Sequence, residues 1–233
     1  MDPRLIHIRH GETALEALLV PAGKGARAGV LLLPTIMGRS DLELGFARRL
    51  AALGYTAMVA DLYGAVGLPR EQCRERMNAL LADRALLQDR LLAVLESFRA
   101  QPEVDSARVA AIGYCFGGLC ALDLARTGAD VAGVASFHGL FTPPGNRDRT
   151  LIRAKILALH GWDDPMAPPA AVEALAAELT RAGADWQIHA YGNVMHGFTN
   201  PSANDPERGV VYDETAARRS WSALETFLAE VLA

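Results

Sequence analysis

Short β-like runs alternate with helix-length segments along this chain of 233 residues. The alternation predicts an α/β fold with a mostly parallel central sheet of about eight strands and helices on both faces. Two further observations sharpen the prediction. The apolar run Arg108-Val109-Ala110-Ala111-Ile112 meets an alanine-rich stretch, Leu119 to Arg126, across the glycine-bounded turn Gly113-Tyr114-Cys115-Phe116-Gly117-Gly118. Chemistry-bearing residues also follow directly on proposed strands, where open α/β sheets collect their reactive groups: Thr35-Ile36-Met37-Gly38, Asp61, Cys115, His138, Asp163/Asp164 and His196. With 51% hydrophobic residues and no repeat, linker or low-complexity stretch, the chain is expected to form one domain over residues 1–233.

The elements follow in order. Leu5 to Ile8 and Ala14 to Val20 read as a hairpin turning at Gly11, and Val30 to Leu33 as a buried strand after a loop at 23–29. Leu42 to Leu53 has helical spacing and stops at Gly54, a natural helix-ending glycine. Tyr55 to Ala60 is the next strand, and 71–99 is helical in pattern with one or two breaks. Val109 to Ile112, Val131 to Phe137, Ile156 to His160 and Asp185 to Tyr191 complete the strands, with helices over Pro169 to Arg181 and Asp213 to Leu232.

Composition excludes several function classes. Formal net charge is −4 and no basic patch is interleaved with aromatics, so nucleic acid is not an expected partner. There is no run of about 18 apolar residues and no apolar signal-peptide core near the amino terminus, so no membrane partner is expected and the location expected is the cytoplasm. Three cysteines, Cys73, Cys115 and Cys120, form no CxxC pair and cluster with no histidines, which argues against a disulfide framework or a structural metal site. Cys120 reads as core and Cys73 as incidental.

Strand, sharp turn, helix is the context of the nucleophile elbow G-x-S-x-G, here with cysteine in place of serine. Flanking glycines let strand and helix pass closely around a strained residue, and a sulfur at the start of a helix is favoured as thiolate. A cysteine nucleophile needs a base and the base an orienting group. His7, His10, His160 and His189 lie in the hairpin or within strands, whereas His196 follows the last strand in a loop flanked by glycines. The acid is sought in the preceding loop, Gly161-Trp162-Asp163-Asp164-Pro165. Asp164 precedes proline, which restricts its backbone, while Asp163 fits a turn-capping role. The order Cys115, Asp164, His196 is that of α/β-hydrolases. In that architecture the oxyanion donors are the backbone N–H of Phe116 and that of Ile36.

These stretches resemble the dienelactone hydrolase family, cysteine-dependent enzymes of the α/β-hydrolase fold. The resemblance runs through Gly54-Tyr55 and Asp61-Leu62-Tyr63-Gly64, the Gly113-to-Gly118 elbow, His160 to Pro168, and His196-Gly197-Phe198-Thr199-Asn200-Pro201. It implies a catalytic triad of Cys115, Asp164 and His196, a small-molecule ester or lactone substrate, a thioester intermediate, and no metal or organic cofactor; carboxymethylenebutenolidase or a related esterase is the implied activity. Two positions depart from the pattern. Thr35 stands where the family's dienelactone enzymes carry a glutamate that helps deprotonate the thiol, leaving His196 itself, Asp41 or Glu43 to activate Cys115. Asn200 stands at one of the two arginines that clamp the substrate carboxylate, the other falling near Arg70 or Arg74. A less charged ester or lactone is therefore expected. Tyr63, Met37, Trp162 and Phe198 are candidates for pocket walls or for core, and His138 for a pocket wall or a packed strand-end residue. A non-catalytic ligand-binding relative and a redox-sensing thiol are the competing classes. Monomer and homodimer both remain open.

Overall fold

A computed structural model describes residues 2–146 and 151–233. Its eight-stranded sheet has the order β1-β2-β4-β3-β5-β6-β7-β8, with β1 at Arg4–His10, β2 at Thr13–Val20, β3 at Arg27–Leu33, β4 at Thr56–Val59, β5 at Val104–Tyr114, β6 at Gly133–Phe137, β7 at Lys155–Gly161 and β8 at Trp186–Tyr191. From β4 through β8 neighbouring strands pair in parallel, and β2 pairs antiparallel with both β1 and β4. The mostly parallel α/β sheet expected from the alternation is present.

Helices cover both faces. On one, α1 (Asp41–Ala52) and α6 (Glu214–Val231) pack Phe46, Leu50, Trp221, Leu224 and Phe227 against Val30, Leu32, Ile112 and Phe137. On the other, α2 (Arg70–Ala82), α3 (Arg84–Arg99), α4 (Phe116–Arg126) and α5 (Pro169–Arg181) enclose a larger core, with Leu91, Phe98, Leu119 and Leu175 over Leu31, Ala111, Val134 and Ala158. Both faces of the central strands are thus removed from water, which explains why they read as continuous apolar runs rather than alternating ones.

Several boundaries differ from the sequence reading. The 71–99 region keeps to expectation and breaks once, at Asp83, whose side chain accepts the Leu86 N–H at 2.9 Å and starts α3. β5 is much longer than Val109 to Ile112: its first residues pair with Arg27 and Ala28 before the register jumps so that Gly29 faces Val109. α4 begins at Phe116, one residue after the cysteine, rather than at Leu119. A small hairpin not expected from the sequence, β9 (Asn204–Asp205) and β10 (Val210–Val211) around a 3-10 turn at 206–208, follows the loop that carries His196. Among the described residues no helix is long and apolar enough to cross a membrane.

Chain order reverses at β3: the next strand lies on one side of it and β5 on the other. The crevice outside the carboxyl ends of β3 and β5 is the topological switch point, the place where α/β sheets bind ligands.

Candidate active site

Cys115 sits at that switch point. It follows β5, precedes α4 and adopts φ 56° and ψ −116°, a backbone region that side chains avoid. Its N–H is tied to Phe137 O at 3.0 Å and its carbonyl accepts the Gly118 N–H at 3.0 Å, so strand and helix fix the strained residue from both sides. The glycines are required by close approach. A Cβ on Gly113 would lie 1.9 Å from Gly117 O, and one on Gly117 would lie 2.0 Å from Leu33 O.

Cys115 as a residue is partly exposed. Burial raises its pKa, but contact with His196 and the backbone N–H groups of Phe116 and Ile36 outweigh that and hold it below the ordinary thiol value of 9.0. Burial in turn disfavours the charged form of His196, yet Asp164 and Cys115 push its pKa up. Both shifts run in the direction that favours thiolate and imidazolium.

His196 reaches this position through two constraints. Gly197 takes φ 71° just after it, and the small hairpin grips it by His196 N to Gly209 O at 2.9 Å and Val211 N to His196 O at 3.0 Å. The backbone ahead of it turns at Asn193, φ 61°, rather than at Gly192. Its Nδ1 donates to Asp164 Oδ2 at 2.7 Å, and its buried Nε2 is left without a well-formed hydrogen bond. Asp164 is 1% exposed, and its other oxygen accepts the Met166 N–H at 2.8 Å; Asp163 is exposed. The two loops lie close enough that a Cβ on Gly161 would meet Val194 O at 2.5 Å. Of the two aspartates, Asp164 is thus the one brought to His196.

Other sequence candidates fall differently. Asp61 does no chemistry at its strand end: one oxygen accepts the Tyr63 and Gly64 N–H groups at 2.8 and 3.0 Å and the other the Glu16 N–H at 3.0 Å, pinning a turn. His138, at φ 37°, is buried rather than lining a pocket. Its Nε2 pairs with Thr199 Oγ1 at 2.8 Å and its ring stands edge-on to His196 at 5.0 Å. Phe198 is fully buried against His138 and Tyr191 and is core, not pocket wall. Asn200 spends its side-chain oxygen on the Ser202 N–H at 3.0 Å. Tyr63 is buried with its ring over Phe116, while Met37 and Trp162 are exposed, as are Arg70 and Arg74 on α2. It is Arg76 that turns back to donate to Tyr63 O at 2.8 Å.

One cysteine reading needs correction, and one acid left open has defined partners. Cys73 is not incidental: its fully buried thiol donates to Leu68 O at 3.5 Å and Met37 O at 3.7 Å. Glu43, left open as a thiol base, is fully buried on α1, where its Oε1 accepts the Thr35 N–H at 3.1 Å and its Oε2 the Ser40 hydroxyl. The Ser40-x-x-Glu43 spacing of a capping box was the available signal, although the glutamate turns to Thr35 instead of to the cap's own N–H. Thr35 itself uses its hydroxyl to accept the Met37 N–H at 3.3 Å. Among the described residues no group of three or more His, Cys, Asp or Glu side chains is disposed to hold a metal ion.

Comparison with known proteins gives the family and the fold. The profile of the dienelactone hydrolase family matches residues 15–232. A crystal structure of a dienelactone hydrolase-like promiscuous phosphotriesterase from metagenomic libraries is 36% identical, with a TM-score of 0.92 over 100% of this chain and 99% of that one. The structure named m3DLH is 38% identical, with a TM-score of 0.90 over 100% and 99%. The Caenorhabditis elegans protein K02A2.1 is 37% identical over 150 residues, 63% of this chain and 95% of its own.

Proposed function

The chain belongs to the dienelactone hydrolase family and is a carboxylic ester hydrolase acting on esters or lactones, and we propose that it works through a thioester on Cys115, with His196 as acid and base and Asp164 as its orienting group. The observation that carries this reading is the 2.7 Å contact of His196 Nδ1 with Asp164, which leaves Nε2 for Cys115. The Cys115 thiolate attacks the carbonyl carbon, and the charge that develops on the carbonyl oxygen is taken up by the N–H groups of Ile36 and Phe116. Losing one such donor typically costs ~10²–10³ in kcat. The tetrahedral adduct collapses as His196 Nε2–H protonates the leaving alkoxide. Neutral His196 then takes a proton from water, the hydroxide attacks the thioester, and the carboxylic acid departs as the thiolate and imidazolium are restored.

The substrate is uncharged near the reacting carbonyl. The carboxyl ends of β3, β4 and β7 present Met37, Val66, Trp162 and Met166 as exposed apolar side chains, and the Asn200 position offers no cation. The test compares hydrolysis of a neutral aryl ester, p-nitrophenyl butyrate, with that of cis-dienelactone, using Cys115→Ala as blank. Cleavage of the neutral ester at the higher kcat/KM supports the reading, and preference for the dienelactone overturns its substrate class.

A second substrate class is a neutral phosphotriester. What favours it is the metagenomic relative, itself a promiscuous phosphotriesterase, which is 36% identical over the whole of this chain. Paraoxon is the probe, and release of p-nitrophenol lost in Cys115→Ala is the expected result.

A further inference from the structure

Ile36 supplies its N–H to the site from a loop whose neighbouring peptide groups are each held by a hydrogen bond. The Thr35 N–H is held by Glu43 at 3.1 Å and the Thr35 C=O by the Gly38 N–H at 3.0 Å. The Ile36 C=O accepts from the Tyr63 hydroxyl at 3.0 Å, and the Met37 C=O from the Cys73 thiol at 3.7 Å. Tyr63 and Glu43 come from different elements, the turn after β4 and helix α1, and both are buried, at 3% and 0% exposure. Gly38, at φ 72°, lets the loop close against the Tyr63 ring, where a Cβ would stand 3.3 Å from Cδ2.

We propose that Tyr63 and Glu43 are positioning residues of the oxyanion hole, gripping the peptide groups on either side of the Thr35–Ile36 unit so that its N–H stays aimed at the reacting oxygen. This rests on the reading of Ile36 as an oxyanion donor. Neither residue touches substrate; both act through the orientation of one peptide group, and a displacement near 1 Å is enough to cost ~10²-fold in rate. Burial pushes the Tyr63 phenol upward, so it remains a donor across the working range. In this account Glu43 accepts hydrogen bonds and moves no proton, although its carboxylate bonds the backbone of Thr35, the residue at the missing loop glutamate's position.

The test measures kcat and KM for p-nitrophenyl butyrate, and Ki for an aryl trifluoromethyl ketone, which adds to the thiolate and places an oxyanion in the hole. The variants are Tyr63→Phe, Glu43→Met and Glu43→Gln. Tyr63→Phe is expected to lower kcat ~10–100-fold with KM within about threefold, and to weaken the ketone by the same factor. It keeps the ring packed on Phe116. Glu43→Met is expected to behave likewise, while Glu43→Gln, which retains an acceptor for the Thr35 N–H, recovers most of the loss. If Glu43→Gln is as damaging as Glu43→Met, Glu43 is a proton acceptor and the proposal is wrong for it. If Tyr63→Phe changes KM alone, or leaves kcat and Ki together at the wild-type values, the proposal is overturned for Tyr63. Failure of the ketone to bind the wild-type protein would instead overturn the oxyanion hole itself, so the two failures are distinguishable. Because Tyr63→Phe removes one oxygen from an otherwise unchanged core, it carries the test even where Glu43→Met does not fold.

Discussion

His196 donates its Nδ1–H to Asp164 Oδ2 at 2.7 Å, with the two side chains 4% and 0% exposed. A charge-assisted bond in so dry a setting fixes both the tautomer and the tilt of the imidazole, and it makes the protonated ring the favoured partner of a thiolate.

That relationship predicts a pH dependence. The Cys115 thiol is held below 9.0 by His196 and the two backbone N–H groups acting against burial, so its thiolate persists on acidification until pH falls through the lowered value. Alkylation by iodoacetamide should therefore show a midpoint below 9.0 in the native protein. In Asp164→Asn the imidazolium loses its carboxylate, the midpoint should move upward, and kcat/KM should fall by ~10³–10⁴-fold. Equal midpoints in the two proteins would contradict the ion pair.

The strained backbone at Cys115 predicts a gain in stability without function. At φ 56° and ψ −116° a residue with a Cβ carries strain of order 1–3 kcal/mol. Glycine relieves it while adding freedom to the unfolded chain, worth roughly 0.4–1 kcal/mol in the opposite sense. Cys115→Gly should thus unfold in urea at a higher midpoint than Cys115→Ala, with both inactive. The reverse order would mean that the strain is not there.

A buried ionic cluster away from the site should govern stability instead. Arg84 pairs with both oxygens of Asp123 at 2.6 and 2.7 Å, and Arg126, 3% exposed, bridges Asp123 at 3.1 Å and Glu178 at 2.7 Å. The two arginines also donate to Thr142 O and Phe141 O, so α3, α4, α5 and the loop after β6 are tied at one point. Removing one member of a buried pair leaves uncompensated charge, at about 3–5 kcal/mol. Asp123→Ala should show that loss in chemical denaturation while whatever folds keeps an unaltered KM. A change below about 1 kcal/mol would mark the cluster as solvated.

The elbow tolerates no side chain where its walls touch. With Gly117 O 1.9 Å from a Cβ on Gly113, Gly113→Ala must separate β5 from α4. Soluble expression should be lost, or the protein recovered without esterase activity. An active, fully folded Gly113→Ala would show that strand and helix are not so close.

Much of this was legible in the sequence because it was local. The strands buried on both faces read as unbroken apolar runs, the elbow as glycines around Cys115, and Asp164 and His196 as polar residues just past strands. What stayed hidden depends on contacts between distant segments. Strand order is set by which faces pack together, not by any local run. The jump in register between β3 and β5 and the hairpin gripping His196 involve two or three residues each, too few for periodicity to register. Phe198, His138 and Asn200 follow strand ends just as Cys115, Asp164 and His196 do, and only the path of the loop decides that they turn inward or bond to their own turn. Cys73 looked incidental, and Glu43 only an optional thiol base, because both bond backbone groups of the loop at 35–38, which no side-chain pattern reveals.

The most direct test of the central claim is intact-protein mass spectrometry of the wild-type enzyme quenched milliseconds after mixing with p-nitrophenyl butyrate, followed by peptide mapping. The account predicts a butyryl adduct on the peptide containing Cys115 that forms with the burst of p-nitrophenol, decays as turnover proceeds, and is lost in Cys115→Ala. Hydrolysis continuing in Cys115→Ala, or a transient adduct mapped to another residue, would contradict it.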